Sequence, residues 1–349
     1  MTQPQGRHVI LNTLFNTGEF IKGNFKTGNW RITFEHKGTK YTWEMISESI
    51  GESQTKPGII KKENLWKHKG KKLVPLIERN VGKFVFDSAE LHGKLSESES
   101  AIRLFKDDPK IKPVYDAFSS IKRRSFSIDA LNKVGEIIPS LNMKEILAKN
   151  ISEKQALNQI FEMDLGINAK MNLLRIYSYT TFTKIIRTYR QFFPFIKNVR
   201  IADFSSLHYD LKFPGRAPIV MMQEVGRNDW IPFLELSSGM QKVFLIIMDI
   251  ILMPAGGVYL IDEYENSLGV SAIDFFPEFV LEVEKDAQFF ITSHHPYLIN
   301  KIPIKNWYVF HREGLEISIR FGKELIDKYG ISKQQSFLKL INDPFYTRK

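Results

Sequence analysis

The 349 residues are 43% hydrophobic and 25% charged, a balance that builds a packed core and sets aside a disordered chain. No cysteine is present, which excludes disulfides, zinc–thiolate sites and iron–sulfur clusters. A formal net charge of +10 permits phosphate contacts with a polyanion without establishing them.

In chain order, His8 to Phe15 reads as helical. Trp30 to Glu35 and Tyr41 to Met45 alternate apolar and polar residues, so they read as a hairpin turning at Lys37-Gly38. The densest basic run, Lys61 to Lys72, holds Trp66 among its lysines. It reads either as a solvated loop with one anchored tryptophan or as a nucleic-acid contact. A further strand is expected at Lys83 to Phe86. From 88 to 193 the pattern turns helical: Leu131, Val134, Ile137 and Ile138 recur at helical spacing, then Ile160, Met163 and Leu165, then Ile185, Ile186, Tyr189 and Phe193. No sustained heptads point to a long coiled-coil arm. Strands return at Val199 to Phe204, His208 to Phe213 and Ile219 to Val225, with Pro214-Gly215 turning between the last two.

The remaining stretch carries the chemistry. Leu236-Ser237-Ser238-Gly239-Met240-Gln241-Lys242 opens an apolar helix that Ser237 or Ser238 caps and that stops before Pro254. Hydroxyls and backbone N–H groups at a positive helix end suit a phosphate. Val258 to Ile261 is an apolar strand ending in Asp262-Glu263, which suits Mg²⁺ and an attacking water at the carboxyl edge of a sheet. Being adjacent, the two carboxylates point in different directions and divide the work. Gln288 to Ser293 is a second apolar strand, leading into His294 and His295, neighbours that cannot easily share one ion. The most apolar run, Val243 to Met253, is too short to cross a bilayer, and no signal-peptide pattern opens the chain, so a cytoplasmic protein without membrane contact is expected.

These words, in this order, resemble the ATP-binding-cassette class of ATPase heads, in the branch that holds SMC- and RecF-type proteins and the OLD-like ATPases of anti-phage systems. Asp262 lies 24 positions after Ser238, and His294 a further 32. The resemblance covers about Trp230 to Phe310. It implies a fold of the α/β class: a P-loop ATPase head with a mixed sheet, flanking helices, an antiparallel β subdomain and a helical insertion. The expected division is 1–87 and 194–349 for the head and 88–193 for the insertion. It further implies ATP and Mg²⁺ as cofactors. Leu236 to Lys242 would be the signature motif, with Ser237, Ser238, Gly239 and Gln241 at nucleotide held by a partner copy. Asp262 would face the metal, Glu263 would polarise the attacking water, and His294 would sense the γ-phosphate. Asn266 would open the D-loop, although Ser267-Leu268-Gly269 departs from the Gly-Leu-His-Pro of many relatives.

No stretch reads G-x-x-x-x-G-K-[ST], the loop that cradles phosphates. Gly18 to Gly23 and Val81 to Phe84 come nearest, and neither has the spacing. The expectation is a chain that begins inside the helix after that loop, and a degenerate ATPase is the competing account. Two functions follow. One is an ATP-hydrolysing head that dimerises on nucleotide and controls a separate effector, a nuclease or toxin, in anti-phage defence. The other is a non-hydrolysing scaffold that binds a partner or nucleic acid.

Overall fold

The computed structural model describes residues 27–48, 59–92, 96–124, 147, 151–204, 217–265, 268, 277–280, 286–293, 295, 301–313 and 316–329. Strand β1 (Thr27–His36) exposes every second residue, and β2 (Thr39–Glu48) turns Tyr41, Trp43 and Met45 inward. Lys37 and Gly38 both take positive φ between them, as a two-residue hairpin loop requires. An antiparallel meander continues through β3 (Ile59–Lys69), β4 (Lys72–Asn80), β5 (Lys83–Phe86) and β6 (Ala89–Glu90). One face of it takes helices α1 (Ala101–Leu104) and α2 (Lys112–Ser119). Together they close a core containing Trp43, Met45, Leu65, Ile77, Ile111 and Val114.

The basic run is not a loop. Lys61 to Lys69 lies within β3, and the chain turns at Gly70-Lys71 into β4. The lysines obscure the strand alternation because their stems lie along a sheet while their heads stay in water. Two of the heads are occupied, with Lys61 2.9 Å from Glu48 and Lys62 3.0 Å from Glu44, both on β2.

The segment expected to be helical also contains a strand. Strand β7 (Ile121–Arg124) pairs in parallel with β11 (Gly257–Ile261), which on its other side pairs in parallel with β12 (Ala287–Ile291). Ile-Lys-Arg-Arg has no apolar run to announce a strand, and its partner lies far away in sequence. Helices α3 (Glu153–Glu162), α4 (Ile167–Tyr177) and α5 (Tyr179–Phe192) follow. They bury Ile160, Phe161, Met171, Leu174, Phe182 and Tyr189 in the same core as Phe244, Ile247 and Tyr259 from the C-terminal part. The expected boundary at 193 therefore falls inside one packed core, since Phe192 and Ile196 both belong to it. That at 87 falls in the turn between β5 and β6, where Asp87 and Ser88 have positive φ.

Beyond α5, β8 (Ile196–Asp203), β9 (Pro218–Glu224) and β10 (Ile231–Pro232) form an antiparallel sheet with β9 in the middle. The middle strand is tied to α4 by the buried Asn168 side chain, which accepts the Val220 N–H at 2.9 Å. Helix α6 (Ser238–Leu252) then runs through the core and ends before Pro254. Gly256 takes φ +78°, and a Cβ on Gly257 would lie 2.8 Å from Met253 Sδ and 2.9 Å from the Pro254 carbonyl oxygen. Only glycine lets the helix end fold this closely onto β11. After β12 come β13 (Tyr308–Glu313), β14 (Glu316–Phe321) and α7 (Gly322–Tyr329). The described residues thus form a mixed α/β structure. No helix among them is long and apolar enough to cross a membrane. The expected helices at His8 to Phe15 and Leu131 to Ile138, and the strand at His208 to Phe213, lie outside the described residues.

Candidate functional site

Three elements converge at the carboxyl end of β11. The Val-Tyr-Leu-Ile run is held between two parallel neighbours, with Tyr259 and Ile261 buried, and the chain emerges from the core at Asp262 and Glu263. Asp262 is half-buried and Glu263 exposed. The two strands stay joined at this point: Thr292 N–H donates to Ile261 O at 2.9 Å and Tyr264 N–H to Thr292 O at 3.1 Å. The Thr292 hydroxyl bridges both acidic residues. It accepts the Glu263 N–H at 2.8 Å and donates to Asp262 Oδ1 at 2.6 Å. One carboxylate oxygen is thereby oriented by a hydroxyl on the neighbouring strand.

Glu263 has φ +46°, in the left-handed region that a side chain with a Cβ enters at a cost of about 1–2 kcal/mol. This backbone turns the chain sharply at the strand end. Beneath it lies Lys242, fully buried, whose ammonium donates to Tyr264 O at 2.7 Å and to Glu263 O at 3.3 Å. Burial pushes the ammonium down to about 8, against the upward pull of Glu265 and Glu263. Burial likewise pushes the Tyr264 phenol up, so this ring stays neutral over ordinary pH, with the Lys242 ammonium 5.8 Å from its centroid.

Helix α6 supplies the third element. Ser237 is its N-cap, with Oγ accepting the Met240 N–H at 3.3 Å. Ser238 opens the first turn, and both serines are exposed while Gly239 is half-buried. Gln241 turns back on the preceding chain, its amide nitrogen donating to Leu236 O at 2.9 Å and Leu234 O at 3.1 Å. Behind the helix start, Tyr189 of α5 packs on Phe244 at 4.9 Å and donates to Met240 O at 3.4 Å. A serine cap over a helix whose next turns are wholly buried gives a rigid, outward-facing set of N–H groups.

The structure therefore joins Asp262 and Glu263 with Thr292 and Lys242, two residues that lie inside the sequence motifs but were given no site role there. Thr292 was within reach of sequence reading, as a hydroxyl at the end of the strand beside the acidic pair. Lys242 carried a weaker signal: one cation opening an otherwise apolar helical run. His294 and Asn266 lie outside the described residues.

A fit to Mg²⁺ can be tested on the donor set. Among the described residues no group of three or more His, Cys, Asp or Glu could hold a metal. One oriented carboxylate with a neighbouring hydroxyl is instead the sparse, hard-oxygen set that suits Mg²⁺ arriving with phosphate oxygens and water. Asp262 and Thr292 fit that role.

Solved structures offer distant likenesses. A structure from work on ATP-driven dimerization and DNA-stimulated activation of SMC ATPases gives a TM-score of 0.34 at 12% identity, over 48% of this chain and 97% of that one. An SmcHead bound to the C-winged helix domain of ScpA gives 0.37 at 10% identity, over 81% and 76%. An Smc head with an extended coiled coil, bound to the C-terminal domain of ScpA derived from Pyrococcus furiosus, gives 0.35 at 10% identity, over 87% and 80%. No curated protein matches the chain. Residues 86–300, more than half of the chain and including β7, α6, β11 and β12, match the family described as "AAA domain, putative AbiEii toxin, Type IV TA system", and the chain belongs to that family.

Proposed function

We propose that the chain is an ATP-hydrolysing head whose chemistry sits at the end of β11. The observation that carries this is the Asp262-Glu263 pair leaving a buried parallel strand, with Thr292 fixing one carboxylate and the other exposed. Membership of an AAA family supports nucleotide binding and hydrolysis as the general activity. Asp262 and the Thr292 hydroxyl would hold Mg²⁺, which neutralises charge on the transferring phosphoryl group when bound. Glu263 orients the attacking water and takes its proton, a task for which an exposed carboxylate beside the metal ligand is suitably placed. His294, two residues beyond Thr292, is assigned to the γ-phosphate, and Asn266 to the loop after the acidic pair.

The exposed start of α6 serves a nucleotide bound by a second copy. Ser237, Ser238 and Gly239 offer hydroxyls and N–H groups there, and Gln241 stiffens the approach through its bonds to Leu234 O and Leu236 O. Hydrolysis would then depend on a dimer. The head would act on a separate effector in defence, and the family description supports a toxin–antitoxin setting for it.

Glu263→Gln in the natural full-length protein tests the reading. Mg-ATP binding measured by calorimetry should persist while turnover falls about 10²- to 10⁴-fold, and a nucleotide-bound dimer should accumulate in light scattering. Turnover near wild type would remove Glu263 from the chemistry. A monomer at saturating nucleotide would remove the dimeric site.

A further inference from the structure

Lys242 stands one helical turn after Ser238 and is 0% exposed, yet the residues after it on α6, Val243 to Ile250, are buried as well and almost all apolar. A leucine or methionine here would avoid the cost of burying a charge. The ammonium is used on two successive carbonyls of another element, Glu263 O and Tyr264 O. The first of them directly follows the bend in which Glu263 holds φ +46°. From the other strand, Thr292 takes the Glu263 N–H through its hydroxyl and the Tyr264 N–H through its carbonyl, the latter in the same peptide unit as the Glu263 carbonyl that Lys242 holds. The turn is thus gripped by its N–H groups from β12 and by its carbonyls from α6. Three ammonium donors on a long stem can serve two adjacent carbonyls, which no apolar side chain of the same length can do.

We infer that Lys242 is a positioning residue for Glu263, holding the backbone at 263–264 in the left-handed bend that aims the Glu263 carboxylate. The inference rests on the reading of Glu263 as the group that orients water. Lys242 touches no substrate. Its effect passes through the two carbonyls, and a carboxylate displaced by a fraction of an ångström loses rate without losing ligand. The residue also joins the exposed serine end of α6 to the acidic turn through a single helical turn, so the two halves of the site cannot shift independently.

Lys242→Met keeps length and burial but removes the donors; Lys242→Gln keeps one polar end and is the second variant should the first fold poorly. Hydrogen exchange on each intact protein reads the turn directly. The amides of Glu263 and Tyr264 should exchange about tenfold faster, the equivalent of one net hydrogen bond, while Phe244 to Met248 of α6 keep their protection. Mg-ATP turnover should show kcat lowered about 10- to 100-fold with KM within about threefold, and Lys242→Gln should lie between wild type and Lys242→Met. Unchanged exchange at 263–264 would overturn the inference, as would protection lost evenly along α6 and β11, which a purely structural lysine would give. Absence of turnover in wild type would count against the ATPase reading alone, because the exchange measurement reports the positioning of the turn without it.

Discussion

Among the charges buried in the described residues, two are used differently. In the meander, Glu63 is fully buried and surrounded by donors: Trp43 Nε1 at 3.2 Å, Ser100 Oγ at 2.5 Å, the Ala101 N–H at 2.7 Å, and the Arg79 guanidinium at 3.7 Å. Arg79 in turn donates to Glu99 O and Ser96 O at 2.6 and 2.7 Å. These bonds tie β2, β3 and β4 to one another and to the chain around α1, and the side chains end inside the core. At the end of β11 the buried charge is Lys242, and the bonds it makes lead outward to an exposed carboxylate on a strained backbone. A buried charge enclosed by its partners fixes a scaffold. One whose partners border solvent holds a working group in place.

If that contrast is right, Glu63→Ala should destabilise the fold by about 3–5 kcal/mol, because it leaves the Arg79 guanidinium buried without its carboxylate. Denaturant unfolding would show the loss. Turnover per folded molecule should stay at wild type, unlike the Lys242 variants, and a fall comparable to theirs would erase the distinction between the two regions.

Tyr259→Phe probes a buried pair that lies between the extremes. The Tyr259 hydroxyl donates to Asp249 Oδ2 at 2.9 Å, behind β11 and well inside α6. Loss of that donor should cost about 1–3 kcal/mol of stability, with little change in kcat. A large kcat effect would extend the working region deeper into the core than the acidic turn.

The smallest effect expected is a pH dependence of Lys242 itself. Its folded value of about 8 lies below the ordinary 10.5. Between those values the unfolded chain holds a proton that the folded chain has released, so this group's contribution to stability rises with pH. The stability difference between wild type and Lys242→Met should move in favour of wild type by about 1 kcal/mol between pH 8 and 9. A difference that is flat across this range would mean that the ammonium is not desolvated in the folded protein.

The sequence by itself determined the parts whose cause is local. An N-cap serine, a long apolar run and Pro254 specify α6 from Ser238 to Leu252, because capping and proline sterics act within one turn. Four apolar residues followed by Asp262-Glu263 specify β11 and its acidic end, and Lys37-Gly38 specifies the first hairpin. Only the tertiary structure decided what depends on distant partners. Ile121 to Arg124 is a strand because β11 lies beside it, and Lys61 to Lys69 is a strand because it pairs with β2 on one side and β4 on the other and buries Leu65. Thr292 joins the site because parallel pairing brings residues 29 and 30 positions apart into register. Lys242 joins it because α6 packs under a bend at 263. No window along the chain contains either relation, since a hydrogen bond between elements exists only once burial has set those elements against one another.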